Sequence, residues 1–462
     1  MRYFFIFPAF SGCLFCRVKQ ERRNNDGIWK VTGVVRDGGG ENGVEELIVW
    51  FTIILVLIFI ATGRFRMEFL ALSGLLFLGL LGLAPPRTLF SGFGHPALVT
   101  IISVFIISKT VTHIGLLRGL GQLISRKVER AQYQILGLAG TAAFLSAFMN
   151  NVGAIGLLLP TANRMARRAR LNPGSLSLPL TIASILGGSL TIIGTAPNII
   201  ISGFLVSAMG KSFRMFDFTP HGLAMILMAF LVWYFCRACG FFPRVEEKEE
   251  KKEEEIDLWK EVPFQPLENR DKKITFFLVS VAVVLVAFGL LHPSLAFGSA
   301  ALLLILSGVL SPSRAYESID IPIILFLGGM LGLGAVLEFV DGVEPLIGFL
   351  ERWTAGWGPF GIVLILIFVS TALSNAINNS AAAVFMAPLA LGLAGSTGFQ
   401  VEGLLLAVAA GSNMALILPT HQATLMVLSR APFPAPALIK VGVPITILAG
   451  FAAALVITAI WM

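Results

Sequence analysis

The chain has 462 residues, 56% of them hydrophobic and 13% charged, with a mean hydropathy of +0.84 and a formal net charge of +7. Soluble domains carry about 25% charged residues, so this composition excludes an ordinary water-soluble fold. The basic residues lie in short loops between apolar runs, which indicates orientation in a lipid bilayer rather than a nucleic-acid partner.

Residues 1–43 differ from the rest of the chain. A short aromatic run, MRYFFIFPAF, precedes the polar and glycine-rich stretch RDGGGENG. The aromatic run is too short to cross a bilayer, which requires about 20 residues, and no small-residue cleavage site follows it. Residues 1–43 are therefore expected to be an N-terminal extension, either disordered or the result of a misassigned start, with the true start near Val44; we favour the misassigned start.

Seven apolar runs beyond this extension have the approximate length of membrane spans. They lie at 47–62, 67–84, 96–119, 221–240, 273–291, 295–311 and 434–461. The run EEKEEKKEEE separates the first four from the last three and is typical of a solvated linker. We predict a first membrane repeat at 44–242, a charged cytoplasmic linker at 243–273 and a second membrane repeat at 274–462.

The two repeats share motifs at a nearly constant spacing. Pro86 recurs as Pro312 at an offset of 226 residues, and the Asn-Asn pair at 150–151 recurs at 378–379 at an offset of 228. Each repeat has three spans, an apolar pair broken by Asn-Asn, a span interrupted by polar residues and a final span. If the broken pair is a re-entrant hairpin, each repeat crosses the membrane an odd number of times, and the second repeat is inverted.

The charges that flank the hairpins agree with this topology. Arginines follow the first hairpin, whereas 391–403, after the second hairpin, contains no Lys or Arg. Because basic loops remain in the cytoplasm, the first hairpin is predicted to enter from the cytoplasm and the second from outside. We therefore predict an all-α polytopic protein of the cell's inner (plasma) membrane, built from two inverted repeats.

The interrupted spans carry G-T-A-P-N (194–198) and P-T-H-Q-A-T (419–424). Non-helical backbone survives in a bilayer only where protein or water satisfies it, so paired breaks indicate a transporter's binding site. A helix that begins at a break offers N–H groups and a positive dipole end to an anion. A helix that ends there offers carbonyl oxygens to a hard cation such as sodium.

These motifs resemble the divalent anion:sodium symporter family, the dicarboxylate, citrate and sulfate carriers of the ion-transporter superfamily. The resemblance covers nearly all of 47–461. It is carried by S-A-F-M-N-N (146–151), G-G-S-L-T-I-I-G-T-A-P-N (187–198), N-N-S-A-A-A (378–383) and L-P-T-H-Q (418–422). It implies a homodimer, elevator-type alternating access, and sodium as the coupling ion without a further cofactor or metal.

Applied position by position, the resemblance implies two sets of site residues. The anion is expected at Asn151, Val152, Thr195, Asn379, Ser380, His421 and Gln422. Sodium is expected at Ser146, Asn150, Asn151, Gly194, Ser374, Asn378, Asn379 and Thr420. Val152 and His421 depart from the family's pattern, which has a hydroxyl residue and a small polar residue there, and this leaves the identity of the anion open.

We therefore predict a secondary active transporter, and not an enzyme, that imports C4-dicarboxylate, citrate or sulfate with sodium. The alternatives are an arsenite effluxer or a sodium/proton antiporter of the same superfamily, and a membrane-embedded enzyme. An antiporter needs a titratable carboxylate at the breaks, and the sequence has none there. An enzyme needs paired carboxylates, a metal cluster or a nucleophile with its base, and no such cluster lies in a span.

Overall fold

A computed structural model of the chain describes residues 42–113, 131–168, 173–238, 269–354, 356–430, 433 and 435–462. Nearly all of the predicted N-terminal extension and most of the predicted linker lie outside these ranges, so both remain predictions. Every regular element in the described ranges is a helix, which confirms the predicted all-α class.

The first half begins with two helices, followed by a short helix and a third long helix. A helical pair, an interrupted helix and a closing helix complete it. Their bounds are α1 (Asn42–Ala61), α2 (Met67–Leu80), α3 (Pro86–Leu89), α4 (Pro96–His113), α5 (Ala131–Ser146), α6 (Asn151–Arg168), α7 (Pro173–Gly187), α8 (Ala196–Met209) and α9 (Thr219–Ala238). The predicted third span, 96–119, continues beyond α4 into residues that the structure does not describe.

The second half repeats this order and includes a short helix, α14, whose corresponding positions in the first half lie outside the described residues. Its helices are α10 (Asn269–Ala287), α11 (Pro293–Leu306), α12 (Pro312–Ser318), α13 (Ile321–Phe339), α14 (Glu344–Thr354), α15 (Pro359–Ala376), α16 (Asn379–Thr397), α17 (Val401–Ser412), α18 (Gln422–Arg430) and α19 (Ala435–Trp461). The predicted order of elements is therefore present twice, while the inversion of one half relative to the other remains a prediction.

Helices of the two halves pack against each other in matching pairs. α2 of the first half packs on α13 of the second, and α11 of the second half packs on α4 of the first. The closing helices α9 and α19 pack along each other. Since α2 corresponds to α11 and α4 to α13, each half supplies the same two surfaces to the other, and one continuous apolar core joins them.

The outer surface is apolar over long stretches. α1 exposes Leu47, Phe51 and Ile58, and α10 exposes Phe276 and Phe277. In water a continuous apolar surface of this kind promotes association, whereas lipid tails cover it at little cost. By length and composition, five helices of the described part can cross a membrane, namely α1, α13, α15, α16 and α19.

In each half, the first helix of the hairpin lies unusually close to the first helix of the interrupted span. A Cβ atom at Gly187 of α7 would lie 2.4 Å from the Cα and carbonyl oxygen of Ala143 in α5. A Cβ atom at Gly411 of α17 would lie 2.3 Å from the carbonyl oxygen of Ile367 in α15. Glycine at these two positions lets the backbones touch, as small residues do between membrane helices.

We expect Gly187→Ala to lower the free energy of unfolding by about 1–3 kcal/mol, because the added methyl group meets backbone that cannot rotate away. Gly140→Ala is the matched control, since a Cβ at Gly140 of α5 meets nothing within 4 Å. The control should be neutral or stabilising by up to about 1 kcal/mol, because alanine favours a helix. Denaturant titration in detergent measures both, and equal effects would contradict the close approach.

The predicted topology can be tested by labelling exposed ends of the two hairpins. Arg164 lies near the end of α6 and Ser396 near the end of α16, and both are exposed. In a background without the native cysteines, Arg164→Cys should react with an impermeant thiol reagent only from the cytoplasm. Ser396→Cys should react only from outside. Labelling of both positions from one face would disprove the inverted repeat.

Candidate functional site

The two Asn-Asn pairs lie at the tips of the hairpins, and the two members of each pair differ in role. The first member binds its own helix: Asn150 Oδ1 accepts the Val152 N–H at 3.1 Å, and Asn378 Oδ1 accepts the Ala381 N–H at 2.8 Å. Such bonds satisfy the free donors of a helix start. The second member is the first residue of α6 or α16. Its Oδ1 accepts a hydrogen bond within the hairpin, and its Nδ2 points to the second interrupted span.

Both second members converge on one residue of the second interrupted span. The amide nitrogen Nδ2 of Asn151 lies 3.3 Å from His421 Nε2, and Nδ2 of Asn379 lies 3.4 Å from the same atom. Asn151 and His421 are buried, and Asn379 is half-buried. Residues separated by 270 positions along the chain therefore meet at a single point between the two tips.

The hydrogen bonds of His421 determine where its proton lies. Its carbonyl oxygen accepts the Leu425 N–H at 3.0 Å, and Nδ1 accepts the Ala423 N–H at 3.1 Å, so His421 is the N-cap residue of α18. A neutral imidazole with an accepting Nδ1 carries its proton on Nε2. Three N–H donors, from one imidazole and two amides, therefore face one another.

Four helices begin at this point. α6, α16 and α18 start at Asn151, Asn379 and Gln422. The start of α8 is adjacent, because a Cβ at Gly188 would lie 2.7 Å from Asn151 Oδ1 and 2.3 Å from Thr195 Cγ2. Each helix start adds a partial positive charge, so the junction favours an anion without a lysine or arginine.

The interruptions begin earlier than the sequence predicted. α7 ends at Gly187 and α8 begins at Ala196, so the first interruption is 188–195 and not 194–198. The second covers 413–421 and not 419–424. The helices end early because side chains satisfy the freed backbone, as Asn375 shows: its Oδ1 accepts the N–H groups of Ile417 and Leu418 at 2.9 and 3.1 Å.

An amide pair that the sequence analysis missed joins the two interrupted spans. Asn413 Nδ2 donates to Asn198 Oδ1 at 2.7 Å, and Thr195 Oγ1 donates to Asn413 Oδ1 at 2.9 Å. Asn198 Nδ2 in turn donates to the carbonyl oxygen of Thr191 at 2.8 Å. All four residues are buried. The sequence shows an asparagine in each of the segments 187–198 and 411–413. The role of Asn413, however, follows only from its contact with the other half of the chain.

Neutral oxygens cluster beside the first tip. Ser146 Oγ donates to Asn151 Oδ1 at 2.6 Å, and Ser184 Oγ lies 3.3 Å from Ser146 Oγ and 3.2 Å from the Asn151 carbonyl oxygen. The Thr191 hydroxyl bonds the Ala147 carbonyl oxygen. Hydroxyl, amide and carbonyl oxygens are the ligands that hard monovalent cations take at helix breaks.

A second set of oxygens surrounds the second interruption. Ser374 Oγ donates to the Ser412 carbonyl oxygen at 2.6 Å. Within the described chain, the buried hydroxyl oxygens of Ser370, Ser412, Thr420 and Thr424 have no hydrogen-bond partner. Buried polar atoms are normally paired, so these oxygens are candidates to bind an ion. Of these four residues, only Thr420 was among the predicted site residues.

The predicted residues thus fall into two groups. Ser146, Asn151, Thr195, Asn379 and His421 lie at or directly beside the junction. Others have different positions: Asn150 and Asn378 cap helices, Gly194 packs across the first interruption on Gly188, and Gln422 is exposed. Val152 is half-buried, and Ser380 is buried with its N–H donated to Asn379 Oδ1 at 3.0 Å.

Ionised side chains are almost absent from the interior of the described residues. Glu68 is the one buried carboxylate among them, and it pairs with Arg66 at 2.6 Å at the start of α2. In the same ranges no group of three His, Cys, Asp or Glu side chains is arranged to hold a metal ion. The junction is therefore made of neutral donors on one side and neutral oxygens on the other.

We expect Asn413→Ala to lower the free energy of unfolding by about 2–3 kcal/mol, because it leaves buried groups of Thr195 and Asn198 without partners. Asn163→Ala is a matched control, since Asn163 Oδ1 has no partner in the part of the chain that the structure describes. Urea or SDS titration of both variants in detergent gives the comparison. An Asn413→Ala protein as stable as the control would show that the amide pair contributes nothing.

Most of the chain matches one known protein family. Residues 57–411, most of the chain, match the citrate transporter family, CitMHS. The chain belongs to this citrate transporter family. The match confirms the predicted resemblance and the prediction of a membrane transporter rather than an enzyme.

Two relatives have informative names. The chain is 26% identical over 324 residues to the sodium-dependent dicarboxylate transporter SdcS of Staphylococcus saprophyticus, covering 62% of this chain and 60% of that protein. It is 30% identical over 148 residues to the probable sodium/sulfate cotransporter 3 of Chlamydomonas reinhardtii, covering 30% and 16%. The matches to the first curated relatives are shorter than the match to SdcS: the chain spans less than a third of the length of those relatives.

A solved structure supports the fold of this citrate transporter family member. The YdaH transporter of Alcanivorax borkumensis superposes with a TM-score of 0.59 at 13% identity, covering 90% of this chain and 98% of that one. At this identity the likeness concerns the fold alone, and it places the helices described above in a known transporter architecture.

Proposed function

We propose that this protein is a sodium-coupled secondary transporter that imports small divalent anions, such as C4-dicarboxylate, citrate or sulfate, across the plasma membrane. The observation that carries the proposal is the junction at His421. Three N–H donors and the starts of four helices meet there, and the imidazole and the Asn151 amide are buried. Such a set of donors binds an anion through directed hydrogen bonds and helix dipoles.

Sodium coupling is supported by the charge of the junction, where the described side chains are all neutral. A dianion brought into a site of neutral donors needs compensating cations, because an unpaired charge in a low-dielectric interior is costly. The oxygen clusters around Ser146, beside the first tip, and around Ser374, beside the second interruption, offer neutral ligands. The names of the relatives, sodium/sulfate and sodium-dependent dicarboxylate carriers, support the same coupling.

An elevator-type movement is supported by a difference between the two hairpins. α16 packs on the first three helical spans of both halves. Phe385 of α16 contacts Trp50 of α1, with ring centroids 5.5 Å apart. A Cβ at Gly334 of α13 would lie 3.7 Å from Val384 of α16. At the offset of 228, Val384 corresponds to Gly156 of α6, where a Cβ would meet nothing within 4 Å. Among the described residues, the second hairpin thus has a neighbour at a position where the first hairpin has none, as expected of one end state. The homodimer is proposed on the family resemblance.

We expect uptake of labelled anion into proteoliposomes to require an inward sodium gradient, because the described site has neutral oxygens and no carboxylate to carry a proton. Ser146→Ala should raise the half-saturating sodium concentration about tenfold, the loss of roughly 1.4 kcal/mol of binding. Ser103→Ala is the matched control, since among the described residues Ser103 Oγ donates to the Val99 carbonyl oxygen of its own helix, at 2.7 Å, and to no other helix. Uptake driven equally by a pH gradient without sodium would reject the coupling.

A further inference from the structure

The two amide donors at the hairpin tips are held close together. Asn151 Nδ2 and Asn379 Nδ2 lie 3.3 and 3.4 Å from one atom, His421 Nε2. The two amide nitrogens can therefore be no farther apart than the sum of these distances, about 6.7 Å. This upper limit follows from geometry alone and applies to whatever both tips bind together.

The imidazole that joins the tips is held in place. Its Nδ1 accepts the Ala423 N–H at 3.1 Å, its carbonyl oxygen accepts the Leu425 N–H, and the residue is 9% exposed. A side chain that caps its own helix loses that bond if it rotates away. His421 therefore remains between the tips, where its Nε2–H can donate to a bound anion and its ring occupies space.

The separation of the donors distinguishes two kinds of anion. The carboxyl carbons of an extended C4-dicarboxylate are three C–C bonds of about 1.5 Å apart. If each amide binds a different carboxylate, with about 2.9 Å between each donor and its outer oxygen, the two donors need to be roughly 10 Å apart. A compact tetrahedral oxyanion has all its oxygens on one atom, and donors about 5–7 Å apart reach two of them at normal hydrogen-bond distance.

We propose that His421 sets the selectivity of this transporter, favouring compact tetrahedral oxyanions such as sulfate over C4-dicarboxylates and citrate, which cannot bridge the two tips with one carboxylate on each amide. The inference rests on the proposed function, because it assumes that the junction is the anion site. In this arrangement Asn151, Asn379 and His421 each donate one N–H to the oxyanion. Val152 adds no hydrogen-bonding side chain at the first tip, which agrees with a small ligand that three donors satisfy.

The experiment measures sodium-driven uptake of labelled sulfate and of labelled succinate into proteoliposomes containing the full chain. The parent protein should take up sulfate, and excess succinate or citrate should not compete. His421→Ser shortens the side chain and keeps a residue that caps helices well. In this variant the KM for sulfate should rise about tenfold, the loss of one hydrogen bond to a charged group, and succinate uptake should appear.

His292→Ser is the matched control. His292 is the N-cap residue of α11, and its Nδ1 accepts the Ser294 N–H at 3.2 Å, so the same change removes the same kind of cap elsewhere. This variant should keep the parent's sulfate KM and its rejection of succinate. A His292→Ser protein that gained succinate uptake would show that the effect of His421→Ser comes from a loosened helix and would overturn the proposal.

The outcomes separate this inference from the function on which it rests. Sodium-dependent uptake of succinate by the parent, with a KM equal to or below that for sulfate, would overturn the substrate class and leave the proposed function standing. Uptake of neither anion with sodium would overturn both. Sulfate uptake by the parent together with an unchanged specificity in His421→Ser would overturn the role of His421.

Discussion

The structure depends on one constraint: backbone N–H and C=O groups inside a bilayer must find partners within the protein. Two hairpin tips and two interrupted helices leave such groups free. Side chains take most of them, and they do so across long sequence distances, as when Asn375 binds backbone groups of three residues beyond Ser412. The groups that remain directed at the junction are the ones available to a ligand.

This constraint explains why each hairpin tip carries two asparagines. The oxygen of the first amide accepts an N–H at the start of its helix, and the Nδ2 group of the second amide faces His421. The oxygens of the second amides are held as well, by the Ser146 hydroxyl at the first tip and by the Ser380 N–H at the second. The tips are thereby rigid, and rigid donors lose little conformational entropy when an anion binds.

Features of this arrangement that depend on local residues were predictable from the sequence, whereas features that depend on contacts between distant helices were not. Asn-Asn pairs, glycines and prolines inside apolar runs identified the hairpins, the interrupted spans and the tips, because helix breaks depend on local residues. Asn413 and Asn375 were missed, since each lies next to an ordinary apolar helix and acts only through contacts with other helices. For the same reason the sequence did not separate the capping role of Asn150 and Asn378 from the inward role of their neighbours.

The amide pair between Asn198 and Asn413 has a consequence for how the two repeats evolve. Each asparagine belongs to a different repeat, and each leaves the other with a buried unpaired group if it changes alone. After an ancestral duplication, the repeats could therefore diverge freely over their lipid-facing sides but only in concert at this contact. Substitutions at the two positions should be inherited as linked changes, which makes the pair a marker of the ancient interface between the repeats.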